Sequence, residues 1–405
     1  MSGEALLPVE EALARLLAVA KAHRLPEEMI PIAEADGRVL AADLVAQRTQ
    51  PPYPVSAMDG YAVIAAETEG LTPLHVVGES AAGHAYSGLV EPGHAVRIFT
   101  GAQVPEGANA ILLQEDATWK GDHVTPLSPV AEGRHIRLAG VDFKRGQALL
   151  HAGERITPAK LALAAAMNHA DVAVSRRPRI AILATGDELA MPGVDAAPDA
   201  IIASNSLAIA AMARRAGAEV RDFGIARDTR EAHIAAFTAA RDWGADVLIT
   251  IGGASVGAHD LVRPVAAELG AEQAFYRIAL RPGKPLNFGT WGRMLLLGLP
   301  GNPVSAILCA KLFLLPLLAT LQGDNHPVEV PEPAILGRDM TANDKRQDYQ
   351  RALLTRAADG SLVAHPVDNQ DSSLLSRLAA ADCLLIRPPH APAAKEGEAC
   401  LVLRL

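Results

Sequence analysis

The sequence predicts a multidomain α/β chain built round a doubly wound, mostly parallel sheet, and three observations support that class. Between residues 179 and 251, strand-like and helix-like runs alternate as βαβαβ, the order that gives a parallel sheet with helices on both faces. Between 61 and 150 the pattern changes to short β-like runs separated by turns, an all-β module with few helices. Beyond the Pro-rich stretch 327–333, four more β-like runs describe a small C-terminal β domain.

The elements follow in order. Residues 8–20 read as an amphipathic helix with Leu13, Leu16 and Leu17 on one face, and Glu4, Glu10 and Glu11 argue against a signal peptide. Residues 47–55 are rich in Pro and turn formers. Strands are expected at 61–64, 74–77, 95–99, 110–113 and 123–127, divided by the turns Glu91-Pro92-Gly93, Pro105-Glu106-Gly107 and Lys120-Gly121-Asp122. A helix at 157–168 carries Pro158 in its first turn.

Arg176-Arg177-Pro178 leads into the strand 179–184. The helix 205–216 has Ser204 or Asn205 as N-cap and Gly217 beyond its end. Strand 219–223, helix 229–243 and strands 247–251 and 294–297 complete the pattern. The run 304–321 imitates a membrane span, but Lys311 and Pro316 lie inside it and no second span exists. It therefore reads as a helix buried against the sheet, and the protein is expected to be soluble and cytoplasmic. The last strands are 350–354, 362–366, 383–387 and 400–405.

Composition narrows the function. A net charge of −9, no basic run and 4% aromatic residues argue against a nucleic-acid partner. Cys309, Cys383 and Cys400 are far apart, which suits reduced thiols rather than zinc or disulfides. The 13 histidines show no paired spacing for a transition metal.

The chemistry centres on Thr250-Ile251-Gly252-Gly253-Ala254-Ser255-Val256-Gly257-Ala258-His259-Asp260, directly after a buried strand. Glycines let backbone N–H groups approach a phosphate, and Asp260 offers a hard oxygen ligand to Mg²⁺. The loop is neither a Walker A motif nor GxGxxG, which weakens kinase and nicotinamide readings. Three successive strands end beside a carboxylate: Glu188 after Thr185-Gly186-Asp187, Asp228 after Ala226-Arg227, and Asp260. One such carboxylate is ordinarily a cap or a solvated charge; three at corresponding ends favour a Mg²⁺–phosphate site.

Leu280-Arg281-Pro282-Gly283-Lys284-Pro285 supplies two cations on a stiff backbone. Gly298-Leu299-Pro300-Gly301-Asn302-Pro303-Val304-Ser305 forms a strand–turn–helix junction suited to an oxyanion. In the β module, Met58-Asp59-Gly60, Thr100-Gly101 and Gly140-Val141-Asp142 are turn-like; whether Asp59 and Asp142 face the glycine loop is left open by spacing. No Ser-His-Asp arrangement is evident.

Taken together, these strings resemble the MoeA family of molybdopterin molybdenumtransferases, which includes the E domains of gephyrin and the plant Cnx proteins. The resemblance rests on Pro-Val-Ser-Ala-Met-Asp-Gly-Tyr-Ala (54–62), Thr-Gly-Ala-Gln-Val-Pro-Glu-Gly-Ala-Asn-Ala (100–110), Arg-Arg-Pro-Arg (176–179), Thr-Gly-Asp-Glu-Leu (185–189), Ser-Asn-Ser (204–206), Gly-Gly-Ala-Ser-Val-Gly (252–257) with Asp260, Pro-Gly-Lys-Pro (282–285) and Gly-Leu-Pro-Gly-Asn-Pro-Val-Ser-Ala (298–306).

It implies insertion of molybdenum from molybdate into adenylylated molybdopterin, with AMP released and Mg²⁺ required. It also implies a homodimer whose active site lies between subunits, with the molybdopterin adenylyltransferase and acceptor enzymes as further partners. Its domains fall at 1–26, an N-terminal helix packing with the central domain; 27–45 with 146–176, a linking domain; 46–145, the β-rich module; 177–326, a MogA-like molybdopterin-binding domain; and 327–405, a β-barrel-like domain. Carried onto this chain, the implied metal ligands are Asp59, Asp142, Glu188, Asp228 and Asp260. Asp59, Asp142, Glu188, Asp260 and Lys284 are the implied catalytic set.

Thr100, Asn205, Gly252, Gly253, Ser255, Gly257, Pro300, Asn302, Pro303 and Ser305 are implied to bind the pterin nucleotide, and Arg281, Lys284, Arg351 and Ser372 the molybdate. The chain departs from the family pattern at Val141, where Glu is usual, at Arg263 and Arg281, where Lys is usual, and at Asp371, where Gly is usual. Tungstate insertion, molybdopterin adenylylation and a non-catalytic scaffold are the alternative readings.

Overall fold

The computed structural model describes residues 6–195, 197–253 and 261–405. Its centre is a six-stranded sheet in the order Glu219–Ala226, Arg179–Thr185, Val247–Ile251, Met294–Leu299, Asn287–Trp291, Glu272–Tyr276. The first four strands are parallel, Asn287–Trp291 runs antiparallel to them, and Glu272–Tyr276 pairs antiparallel with Asn287–Trp291. Val247–Ile251 is buried along its whole length, as a central strand covered on both faces must be.

Alternate residues feed two cores. Ile180, Ile182, Ile249, Leu295 and Leu297 face the helices Val9–Ala22, Asn205–Arg215 and Pro303–Leu321. Ala181, Leu183, Leu248 and Leu296 face Phe237 and Ala240 of Arg230–Asp242 and Val262 and Ala266 of Val262–Glu268. The run resembling a membrane span is thus a core helix, with 78% of its most apolar window buried in the fold.

The structure adds elements that the sequence reading lacks and corrects one cap. The antiparallel edge and the helix Val262–Glu268 have too weak a periodicity to be read from sequence. Ser204 occupies the N-cap position of its helix but makes no side-chain cap bond. The Asn205 amide instead donates to Gly301 O across the cleft floor (2.7 Å). Thr157 and Thr229 do cap their helices, accepting from Lys160 and Ala232.

The segment after the N-terminal helix forms two small antiparallel ladders, Glu27–Pro31 with Asp171–Ser175 and Leu44–Val45 with Ala148–Leu150. Leu40, Phe143, Ile156, Met167 and Val174 pack between them. Between these paired segments the chain builds a six-stranded sheet in the order Ala110–Leu113, Gly60–Val63, His94–Ile98, Leu74–Ser80, His123–Pro126, Ala117–Lys120.

At the C-terminus, Gln347–Arg356, Leu362–Pro366, Glu332–Leu336, Ala399–Arg404 and Cys383–Arg387 pair in that order and close back on the first strand as a five-stranded barrel. Leu280–Arg281 of the central region joins the long barrel strand through a parallel pairing with Gln347 and Asp348.

Candidate functional site

The carboxyl ends of the parallel strands surround a cleft of about 510 Å³, the place where such sheets bind ligands. Its floor requires glycine. Gly252 has φ +92°, and a Cβ there would lie 2.7 Å from Thr185 O. Its N–H donates to Leu299 O (3.1 Å), so three strand ends are held together at one edge. Gly301 passes close by, and a Cβ on it would sit 3.7 Å from Gly252 Cα.

Glu188 doubles back over Gly186 and lines the cleft, as do Asn205, Gly252, Gly253, Pro300, Asn302, Pro303 and Ser305. Ser305 is buried in the first turn of the core helix. The apolar wall comes from Leu189 and from Ile201 and Ile202, which sit on a two-stranded parallel flap. Those isoleucines carry no signal in the sequence, because a two-residue strand has no periodicity to read. Ser255, Gly257 and Asp260 lie outside the described residues. Asp228 is not among the cleft's described lining; its N–H donates to Asp187 Oδ1 (3.2 Å), and Arg227 donates to Asp187 O (2.9 Å).

The C-terminal region reaches the cleft through one loop. Ser372 Oγ accepts from the Asn302 amide (2.8 Å), and Ser372 O accepts from Val304 N in the first turn of the core helix (3.1 Å). The loop is held by Arg351, only 1% exposed. Its guanidinium donates to Gln370 Oε1 (3.0 Å), Asp371 O (2.8 Å) and Asn369 O (3.5 Å). Burial draws the Arg351 pKa below its ordinary value, opposed by the carboxylates of Asp371 and Asp348. The Asp371 carboxylate turns onto Ser373 N and Oγ, which hold its pKa down.

Arg281 is also engaged, donating to Asp348 (2.6 Å), Asn343 (2.9 Å) and Asp344 (3.2 Å). The Asp348 bond chiefly raises its pKa. Lys284, three residues on, is exposed and its ammonium pairs with no described residue, while the adjacent Pro285 lines the cleft. The partners of the two arginines carry no local signal in the sequence. Asn343, Asp344 and Asp348 lie 62 or more residues beyond Arg281, Gln370 lies 19 beyond Arg351, and only the fold joins them.

On the β module, Asp59 Oδ1 accepts from Thr100 N (2.7 Å) and Thr100 Oγ1 (2.8 Å). The Thr100 backbone bond, then its hydroxyl, holds the Asp59 pKa below the usual carboxylate range. Asp142 is exposed, with its backbone N–H donating to Gln50 O (3.2 Å). None of Asp59, Thr100 and Asp142 is among the described lining of the cleft in the same chain. Among the described residues no three His, Cys, Asp or Glu side chains form a preset metal group. Glu188 in the cleft and the free oxygen of Asp59 are hard donors of the kind Mg²⁺ takes, usually from one or two carboxylates with phosphates and water completing the shell.

Three segments match known families: residues 7–168 the MoeA N-terminal region (domain I and II), 181–320 a probable molybdopterin binding domain, and 333–405 the MoeA C-terminal region (domain IV). The chain is 33% identical to a molybdopterin molybdenumtransferase of Haemophilus influenzae over 81% of each chain. It is 37% identical to molybdopterin molybdenumtransferase 2 of Mycobacterium tuberculosis, over 76% of this chain and 78% of that one. A crystal structure of the molybdopterin biosynthesis MoeA protein from Pyrococcus horikoshii OT3 superposes with a TM-score of 0.83 at 28% identity, covering 99% of this chain and 100% of that one.

Proposed function

The chain belongs to the MoeA family of molybdopterin molybdenumtransferases, enzymes of molybdenum cofactor biosynthesis, and we propose that it inserts molybdenum from molybdate into adenylylated molybdopterin and releases AMP. The observation that carries this reading is the docking of Ser372 on Asn302 at the mouth of the strand-end cleft. It sets a hydroxyl from the C-terminal domain beside a glycine floor and the start of a long helix, a combination suited to two neighbouring anions.

In this reading the phosphates occupy the floor between Gly252, Gly253 and Ser305, and the family resemblance assigns Ser255, Gly257 and Asp260 to the same ligand. Molybdate sits toward Ser372 and Lys284, whose exposed ammonium is a point charge suited to a dianion. Arg281 and Arg351 support this end through the loops they hold. Mg²⁺ would be held by Glu188 with Asp260, and it supplies neutralisation of phosphate charge. Glu188 and Lys284 then orient the two substrates against each other.

Asp59, Thr100 and Asp142 take part by way of a second copy of the chain, whose β module closes the cleft. The absence of β-module residues from the described cleft lining supports this arrangement. Asp228 remains at the rim, bonded to the Asp187 loop. A cytoplasmic setting suits the three free thiols, and it would place the protein with the adenylyltransferase that makes its substrate and the enzymes that accept its product.

The test supplies purified protein with adenylylated molybdopterin, molybdate and Mg²⁺, and follows AMP by chromatography and protein-bound molybdenum by mass spectrometry. AMP no higher than in a protein-free control defeats the proposal. A second readout concerns Mg²⁺: AMP with Mg²⁺ should raise the melting temperature of the wild type more than AMP alone, and Glu188→Gln should remove that increment. Mixing Asp59→Asn with Glu188→Gln chains should restore part of the activity that each has lost, as expected for a site shared between copies.

A further inference from the structure

The β module has a second concave face that the cleft does not use. Tyr61, Arg97 and Glu79 form a cross-strand row, because Tyr61 pairs with Arg97 and Arg97 with Glu79. The bulge between Val76 and Gly78 keeps Val76 and Glu79 on this face, since their partners Ala95 and Arg97 alternate with period two. Trp119, on the outer strand, pairs with Val124, which pairs with Leu74 on the same face. Together with Gln114 these side chains border a cleft of about 780 Å³.

The chemistry of this face is specific. Arg97 stacks over Tyr61 and Phe99, with its guanidinium carbon 4.9 and 5.1 Å from the ring centres. It donates to Gln114 Oε1 (2.7 Å) and Gly60 O (3.3 Å), which leaves further N–H donors for a ligand. Because Arg97 is turned this way, Glu79 is exposed and forms no ion pair with any described residue, although it lies directly across the ladder. Trp119 is 71% exposed on the same cleft. A largely exposed indole beside such a carboxylate and a held guanidinium lacks any evident packing role.

We propose that this face binds the pterin ring of the substrate. A carboxylate only accepts hydrogen bonds, so it pairs best with two adjacent donors. The amino-oxo pyrimidine edge of a pterin presents such a pair, an amine next to a ring N–H, with a keto oxygen beside them for Arg97. Adenine presents an amine next to a ring acceptor and satisfies Glu79 poorly. Trp119 supplies the stacking surface, an interaction that flat heteroaromatic rings gain from an indole.

The position is suitable as well. Gly60–Val63 starts directly after Asp59, and His94–Ile98 ends two residues before Thr100. The Tyr61–Arg97–Glu79 row therefore lies about 7 Å from Asp59 along the strand direction, two residues at strand spacing. This inference rests on the proposed function and adds to it where the ring sits and what distinguishes it from the nucleotide.

The experiment is calorimetric titration of the full chain with 6-hydroxymethylpterin and, separately, with AMP, alongside tryptophan fluorescence. The wild type should bind the pterin saturably and lose fluorescence. Glu79→Gln, which turns one acceptor into a donor, should weaken pterin binding at least tenfold and leave AMP binding unchanged. Trp119→Phe should abolish most of the quenching, although Trp243 and Trp291 remain. Melting curves matching the wild type show that both variants are folded. Pterin affinity within twofold of wild type in Glu79→Gln, or no saturable pterin binding up to millimolar concentration, overturns the inference. Failure of the broader reading shows separately, as absence of AMP release by the wild type.

Discussion

Replacing Arg351 with Met separates two roles for this residue: a direct contact to molybdate and a brace for the Ser372 loop. The side chain is 1% exposed, and Met nearly fills its space while removing every donor. Two of its bonds are short, to Gln370 Oε1 (3.0 Å) and Asp371 O (2.8 Å). Bonds from a charged donor contribute roughly 1.5–3 kcal/mol each, which gives about 3–6 kcal/mol in total. Gln370 Oε1 keeps a second donor in Arg351 N (3.0 Å), so its loss falls at the low end. The apolar Met returns about 1–2 kcal/mol by burial.

A net cost of about 2 kcal/mol remains. For a unit of barrel size this corresponds to a fall of about 10 °C in its melting temperature. The assay is thermal unfolding followed by circular dichroism, paired with molybdate dependence of AMP release at a temperature where the variant is folded. The brace predicts loss of stability together with a raised KM for molybdate, and Arg351→Lys should recover neither, because an ammonium lacks the planar fork. A variant as stable as the wild type, with only molybdate dependence altered, refutes the brace.

Further outcomes follow from other contacts. Thr100→Val keeps the backbone bond to Asp59 and removes the hydroxyl one, so the Asp59 pKa should rise part of the way to its ordinary value. Since the folded pKa is depressed, this contribution is complete above the unfolded pKa and fades as pH falls through the folded one. Carboxyl NMR titration checks it, and an unmoved or lower value contradicts the assignment. Gly252→Ala, strained at φ +92° and pressed on Thr185 O, should cost roughly 2 kcal/mol and reduce AMP binding; unchanged melting would show that the floor yields. Burial raises the thiol pKa of Cys309 and takes Cys383 to about 12 and Cys400 to about 11. A thiol reagent at pH 8 should therefore titrate less than one cysteine in native protein and three in denaturant.

The sequence is most readable where periodicity is long. The βαβαβ alternation, the core helix hidden in an apolar run, and the β-rich module all follow from residue pattern alone. Glu188, Gly252 and Asn302 are legible for a similar reason, since each sits at a strand end whose direction the pattern reveals. What stays hidden are contacts between distant segments. Nothing near Arg281 announces Asp348, and nothing near Arg351 announces the backbone carbonyls it serves. Their positive charge suggests an anion, whereas each guanidinium is occupied by the chain itself. Glu79 and Trp119 escape notice because cross-strand neighbours meet only once register is known, and the bulge after Val76 shifts that register by one.

The C-terminal barrel also bears on how such a chain can vary. Five strands that close on themselves leave no free edge, so the unit can tolerate wide change in its outward residues without recruiting stray strands. The seam that joins it to the central domain is composite: the two-residue pairing at Leu280–Arg281, the Arg281 bonds to Asn343, Asp344 and Asp348, the bonds from Asn302 and Val304 to Ser372, and Tyr349, Leu384 and Leu403 packed into the central core. A barrel from a relative could be grafted here only if that whole seam were preserved. Under the proposed reading the graft would carry the Ser372 side of the oxyanion site, while Lys284 would stay with the central domain.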